Sequence, residues 1–237
     1  MAIGRLDYAP EKLAPFGREY LLLEANNDIE RSMRLSACAK EPWTVAFIEA
    51  LAPGKTFWDI GACVGSYTLI AAARGLDVVA FEPVAENCAT LVRNLALNEL
   101  LDRVLVLPFP LGDQNALIWQ HRSDMRSGAA SHVLSGSPRK RGLHQQLLGL
   151  VTADMVLNLW GLPIPKAIKI DVDGFELQVL QGAEKLLENP GVSALLVEMQ
   201  TANDQPIVSW LAARRWVVSE RYPERGGIYY AKYERVT

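Results

Sequence analysis

Asp59, Gly61 and Gly65 fall close together in FWDIGACVG at 57–65, and Glu82 closes DVVAFE a short helix later. A short apolar run, a glycine turn, the apolar SYTLIAAARG and a second apolar run ending in a carboxylate form the first half of a nucleotide-binding βαβ unit. Gly61 and Gly65 let the backbone turn tightly and come close to a ligand. A dinucleotide site requires G-x-G-x-x-G, so that a pyrophosphate can rest on the helix N-terminus. Here the pattern is D-x-G-x-x-x-G. An acid before the turn would repel a pyrophosphate and would suit the ammonium and sulfonium charges of S-adenosylmethionine. Glu82 can accept both ribose hydroxyls, a feature that dinucleotide folds share.

A second acidic set lies further on. Asp171 ends the apolar run AIKID, Glu198 ends SALLVE, and Asp173 and Glu176 follow Asp171 at the start of a helix. Methyl transfer is an in-line displacement, so the protein mainly positions the acceptor oxygen. A base or a metal can assist by taking the acceptor proton. If the two strands are neighbours, Asp171 and Glu198 converge at the ligand-binding edge of the sheet. Asp171 is the candidate base or acceptor-orienting group, and Glu198 is expected to face the substrate. The alternative is a divalent cation such as Mg2+ on Asp171, Asp173 and Glu198 through hard oxygen ligands, an arrangement that spacing alone does not favour. Asp173 and Glu176 could equally just complement a helix N-terminus. The histidines, His121, His132 and His144, match no zinc pattern.

The elements that must position these groups alternate as strands and helices. TFWDI, DVVAF, RVLVL, AIKID and SALLVEM read as parallel strands with helices between them. PVAENCATLVRNLALNEL is a long helix with Ala85, Cys88, Leu91, Val92 and Leu95 as its apolar face. FELQVLQGAEKLLENP is one amphipathic helix, and Thr152 caps TADMVLNLWGL. WVVSERY and GIYYAKY are joined by PERGG as an antiparallel hairpin. The predicted fold is therefore a Rossmann-like α/β domain over residues 41–237, with a seven-stranded sheet, helices on both faces and that terminal hairpin. Residues 1–40 read as an extension packed on the core, with a possible strand or hairpin at REYLLLEA. EPWTVAFIEAL is a helix with Pro42 in its first turn, and Glu41 at its start is expected to face the cofactor. ALIWQHR reads as an extra strand, and 122–151 as a long irregular loop of the kind that is usually functional or disordered.

Composition narrows the partners. With 24 Lys and Arg against 27 Asp and Glu, the net charge is −3, which disfavours nucleic acid. Three scattered cysteines suggest neither a zinc site nor a disulfide framework. No apolar run approaches a membrane span and no signal peptide is visible. A cytoplasmic protein is expected, and oligomeric state is not readable.

Taken together, the motifs resemble the FkbM family of S-adenosylmethionine-dependent methyltransferases. IKIDVDGFELQVLQGA at 168–183 is similar to that family's KIDVEGxE…vLxG segment, FWDIGACVGSYTL looks like DVGANIGxxTL, and AFEPVAENCATLVRNLALN follows its pattern around the ribose-binding acid. Cys63 replaces the usual Asn. The similarity runs from about Glu41 to Gln200. It implies O-methylation of a hydroxyl on a sugar, polyketide or other secondary metabolite. It also implies a cofactor set of Asp59, Gly61, Ala62, Gly65, Glu82, Pro83, Asn87, Gly112 and Asp113, with Glu41 beside it. Asp171, at its strand tip, and His121, at the end of the extra strand, are the candidate catalytic residues. Arg126, Ser131 and His132 lie in a stretch that resembles a family segment near the cofactor, and they are candidates to touch the acceptor. Arg139-Lys140-Arg141 is a solvated loop or a clamp for an anionic acceptor. Trp119, Trp160, Tyr222 and Tyr229 belong to the core or stack on the acceptor. Two alternatives stay open: an NAD(P)-dependent oxidoreductase, and a cofactor-binding module without catalysis.

Overall fold

The computed structural model describes residues 11–16, 19–129, 132–138 and 144–236. The chain opens with a hairpin of β1 (Glu11–Phe16) and β2 (Glu19–Leu23), then a π-type turn (Glu30–Arg34), α1 (Ala37–Lys40) and α2 (Pro42–Glu49). The core follows as β3 (Thr56–Ile60), α3 (Ser66–Ala73), β4 (Asp77–Phe81), α4 (Ala85–Leu97) and β5 (Val104–Leu107). A second small sheet is built from β6 (Ala116–Arg122), β7 (His132–Ser135) and β8 (His144–Leu150). The chain then returns through α5 (Ala153–Trp160), β9 (Ala167–Ile170), α6 (Glu176–Gln181), α7 (Glu184–Glu188), β10 (Ala194–Gln200), α8 (Gln205–Ala212), β11 (Trp216–Arg221) and β12 (Ile228–Arg235).

The main sheet has seven strands in the order β11-β12-β10-β9-β3-β4-β5. β12 runs antiparallel to both of its neighbours, whereas β10, β9, β3, β4 and β5 are mutually parallel. Parallel strands covered on both faces need continuous apolar runs. Accordingly β9 is buried throughout, and β3 and β4 are buried beyond their first residue. Trp58, Ile60, Val79, Phe81, Ile168 and Ile170 pack one face against α5–α8. Phe57, Val78, Ala80 and Leu196 pack the other against α2–α4 and the β1–β2 hairpin. Among the described residues no helix is long and apolar enough to cross a membrane.

Three local expectations need correction. The irregular loop expected over 122–151 carries β7 and β8, paired antiparallel on either side of β6. Leu117, Val133 and Leu147 are exposed on this small sheet, so burial does not set up the alternation that marks a strand in sequence. The single helix expected over 175–190 breaks into α6 and α7 at Gly182, where a Cβ would lie 1.8 Å from the Gly112 carbonyl oxygen. The buried face of α4 is Asn87, Thr90, Leu91, Asn94 and Leu95, with Val92 exposed. Its asparagines are buried because each is hydrogen-bonded: Asn94 donates to the Val64 carbonyl and accepts from the Glu24 amide, both at 2.8 Å. The cap at Thr152 is present, its hydroxyl accepting from Met155 N at 3.1 Å.

Candidate active site at the switch point

Chain order sets the location of the site. From β3 the sheet grows one way through β4 and β5, and the later strands add on the other side of β3 through β9. Such a reversal leaves a crevice beyond the strands' carboxyl ends. Ile60 pairs in register with both Phe81 and Ile170. The next residues, Gly61, Glu82 and Asp171, therefore emerge at one level: Gly61 N donates to Phe81 O and Asp171 N to Ile60 O, both at 3.0 Å. Gly61 has φ +85°, and a Cβ there would meet the Asp171 carbonyl oxygen at 1.8 Å. Only glycine lets the turn lie against β9. Gly65 shares the left-handed backbone, at φ +92°, and a Cβ there would meet the tip of the Leu91 side chain at 2.2 Å. Cys63 is also left-handed, at φ +52°. Asn tolerates that region better than other side chains, which gives a physical reason for the Asn at this position in the resembling motif.

A cleft of about 650 Å³, open to solvent, lies over this edge, bounded by Glu82, Asn87, Phe109, Leu111, Asp171 and Arg34 among others. Glu82 is buried; its Oε2 accepts from Cys63 N at 2.8 Å, and its Oε1 from Val84 N at 2.8 Å and Asn87 Nδ2 at 3.3 Å. Burial pushes its carboxyl up, against the pull of those three donors and Arg34. Burial likewise pushes the Cys63 thiol up to about 12, so it is not a thiolate nucleophile at neutral pH. Pro83, Ala129 and Leu134 also line the cleft. The stretch that resembles a family segment near the cofactor thus bounds the same space as Glu82.

Beneath the cleft runs a buried ionic chain. Lys169 Nζ lies 2.9 Å from Asp171 Oδ2 and 3.5 Å from Asp59 Oδ1. Thr68 donates to Asp59 Oδ2 at 2.6 Å, and Tyr230 donates to Asp171 Oδ2 at 2.9 Å. Burial alone would raise Asp171, but Lys169, Tyr230 and Arg34 outweigh it and hold the carboxyl below its ordinary value. Burial would likewise discharge Lys169, yet Asp171, Asp59 and Glu41 hold it charged. Asp59 is fully buried and lines neither the cleft nor the hollow beside it. It supports the site through Lys169. Glu41 accepts from the Tyr67 hydroxyl at 2.8 Å and lines two adjoining hollows, one of them shared with Ala62.

Asp173, at the cleft wall, is pushed up to about 7 by burial of its carboxyl and by Asp171 and Glu176. Glu176 Oε1 accepts from Val172 N at 3.2 Å and Gly174 N at 3.0 Å, so it pins the loop after β9. Glu198 lines a separate hollow with Lys40, Trp43, Arg225 and Tyr230. Its carboxyl is pushed up to about 10 by burial and by Asp171, Asp173 and Glu176. Among the described residues no group of three or more His, Cys, Asp or Glu is arranged to hold a metal ion. The cation arrangement on Asp171, Asp173 and Glu198 is therefore not assembled among them; Asp171 Oδ2 instead meets Lys169 and Tyr230.

Other expected residues fall elsewhere. His121 is buried in β6 with Nε2 3.2 Å from Ser137 O, and it lines neither the cleft nor the hollows beside it. Arg126 is exposed and paired with Asp124. Gly112 is buried against Gly182 and Asp113 is exposed; neither lines the cleft. His132 begins β7, while Ser131 and Arg139-Lys140-Arg141 lie outside the described residues. Trp160 packs edge-on to Phe109, Tyr222 stacks on Trp43 at 5.5 Å, and Tyr229 donates to Asp204 at 2.7 Å. Arg34, Lys169 and Tyr230 are the site residues missing from the sequence reading. Lys169 stands inside the IKIDVDG motif, whereas nothing in NNDIERSMR singles out Arg34.

A sheet of this order, with a glycine turn and an acid at the switch point, places the chain among class I methyltransferase folds. Over 90% of its length it resembles a precorrin-6Y C5,15-methyltransferase from Geobacter metallireducens, covering 94% of that chain with a TM-score of 0.54 and 12% identity. The chain belongs to the FkbM family of S-adenosylmethionine-dependent methyltransferases, residues 59–223 matching the Methyltransferase FkbM domain. It is 23% identical over 175 residues to the hexuronic acid methyltransferase AglP of Haloferax volcanii, a match covering 73% of this chain and 67% of that protein. It is also similar to a methyltransferase FkbM structure from Methylobacillus flagellatus, with a TM-score of 0.55 and 18% identity over 76% of this chain. The match spans 43% of that longer protein. Family membership removes the dinucleotide oxidoreductase reading.

Proposed function

We propose that the chain methylates an oxygen of a sugar-type acceptor, with S-adenosylmethionine held in the cleft over Gly61, Glu82 and Asp171. The observation that carries this reading is the register that brings those three residues to one level. The residues fit the cofactor. Glu82 presents a buried carboxylate for the ribose hydroxyls, Phe109 and Leu111 offer apolar walls for the base, and Gly61 lets the turn lie against the end of β9 at the cleft edge. The bound cofactor supplies an electrophilic methyl group on a sulfonium.

The protein's part is positioning and proton handling. Asp171, kept ionised by Lys169 and oriented by Tyr230, can accept the proton of an acceptor hydroxyl at the cleft wall. Tyr230 also lines the hollow of Trp43, Glu198, Lys40 and Arg225, so one side chain links Asp171 to the proposed acceptor side. The hollow sets an aromatic wall beside Lys40, which pairs with Glu41 at 3.3 Å, and beside Glu198 and Arg225; Arg225 is the cation proposed to meet a sugar carboxylate, in keeping with the hexuronic acid of the distant relative.

The test is incubation with S-adenosylmethionine and a panel of uronic-acid glycosides, neutral glycosides and polyketide alcohols, read by mass spectrometry. Methylated uronic-acid glycosides are expected. Methylation confined to polyketide alcohols would overturn the sugar reading, and cofactor binding with no product from any acceptor would favour a module without catalysis.

A further inference from the structure

We infer that Arg34 is the anchor for the cofactor's carboxylate, a subsite supplied by the segment that precedes the methyltransferase core. The inference rests on the cofactor reading above and adds a residue to it. Arg34 is the basic side chain among the described residues lining the main cleft, which also carries Glu82, Asp171 and Asp173. It also lines the adjoining hollow on the Gly61–Cys63 side, together with Ser66 and Lys40. It therefore borders both spaces, as Gly61, Cys63 and Asp171 of the site do.

Charge decides what this position must do. S-adenosylmethionine carries a ribose diol, a sulfonium, an ammonium and a carboxylate. Three acids in the cleft suit the first three of these and repel the fourth. A carboxylate can settle over such a floor only beside a cation, and a guanidinium offers paired donors matched to its two oxygens.

The side chain is held for the task. Arg34 Nε and Nη2 donate to Gly128 O at 2.9 and 2.5 Å, and Ser66 donates to the Arg34 carbonyl at 3.2 Å. On the other side of the same glycine, Gly128 N donates to Asn87 Oδ1 at 2.7 Å, and Asn87 Nδ2 donates to Glu82 at 3.3 Å. One loop residue thus ties the proposed carboxylate anchor to the proposed ribose acid. Asn27 and Glu30, from the same N-terminal segment, bond the adjacent Ser127. Gly128 has φ +81°, and a Cβ there would come within 3.1 Å of the Glu30 side chain, so the close contact depends on glycine.

The experiment is calorimetric titration with S-adenosylhomocysteine and, separately, with 5′-methylthioadenosine, which keeps the adenosine and thioether but lacks the amino-acid end. Arg34→Ala should weaken S-adenosylhomocysteine about 10- to 100-fold, the range of a lost charge-assisted pair, and leave methylthioadenosine within about twofold of the parent chain. Arg34→Lys should recover part of the loss, and Arg34→Gln serves if the alanine variant does not fold. Equal weakening of both ligands would overturn the assignment and make Arg34 a structural tie to Gly128. No effect on either would overturn it too. Failure of the parent chain to bind either ligand would overturn the cofactor reading itself, and the subsite with it.

Discussion

Lys169 shows how single residues make this site. It is a fully buried ammonium between two carboxylates, 2.9 Å from Asp171 and 3.5 Å from Asp59. Removing one partner of a buried ion pair leaves uncompensated charge and costs about 3–5 kcal/mol. Lys169→Met should therefore lower the unfolding free energy by about 3 kcal/mol or more in urea denaturation, and a loss below about 1 kcal/mol would mean that water reaches these groups. At this scale the sequence was partly legible. Asp171 and Glu82 were readable because each directly follows a buried parallel strand, where a carboxylate has few structural uses. Asp59 was read as a ligand contact because sequence shows a residue's position along a strand but not its depth; the fold puts it one layer down, beside Lys169 and Thr68. Arg34 and Tyr230 reach the site from distant segments, and no local pattern reports such a reach.

At the scale of elements, the turn after β3 and the end of β9 have to touch. Gly61→Ala adds a Cβ at 1.8 Å from the Asp171 carbonyl oxygen and places alanine at φ +85°. The left-handed backbone alone costs about 1–2 kcal/mol, and the clash must also push β9 away. The variant should lose at least about 2 kcal/mol of stability and nearly all cofactor affinity. Unchanged binding of S-adenosylhomocysteine by calorimetry would show that the turn has another way to sit. The parallel strands and the terminal hairpin were legible because continuous apolar runs and turn residues mark them directly. The split of α6 from α7 was not, since Gly182 breaks the helix through contact with a residue 70 positions away. In the small sheet β6 was legible as a strand, whereas β7 and β8 were not: Val133 and Leu147 face water, and the alternation that marks half-buried strands is missing.

Across the whole molecule, acids from the loop after β9, the start of α6 and β10 form one cluster whose charge couples to folding. Glu198 is pushed up to about 10 by burial and by Asp171, Asp173 and Glu176. The unfolded chain releases this proton near pH 4.5, while the folded chain keeps it up to about pH 10. In that window the native state binds more protons, so this group's contribution to stability falls as pH rises. The urea midpoint should be lower at about pH 9 than at about pH 6, and Glu198→Gln should flatten the decline. An identical slope in the variant would remove Glu198 as the source. The fold class was legible at this scale because strand and helix alternation is a property of the entire chain, whereas the hollow near Trp43 depends on α1, α2 and β12 meeting in space.

The most direct measurement is calorimetric titration of the folded chain with S-adenosylhomocysteine, repeated with Glu82→Gln. One-site binding by the parent chain and a loss of about tenfold or more in the variant are expected, since Glu82 is assigned both ribose hydroxyls. No heat of binding and no rise in melting temperature at saturating ligand, from a parent chain that circular dichroism shows to be folded, would contradict the assignment of this cleft to S-adenosylmethionine.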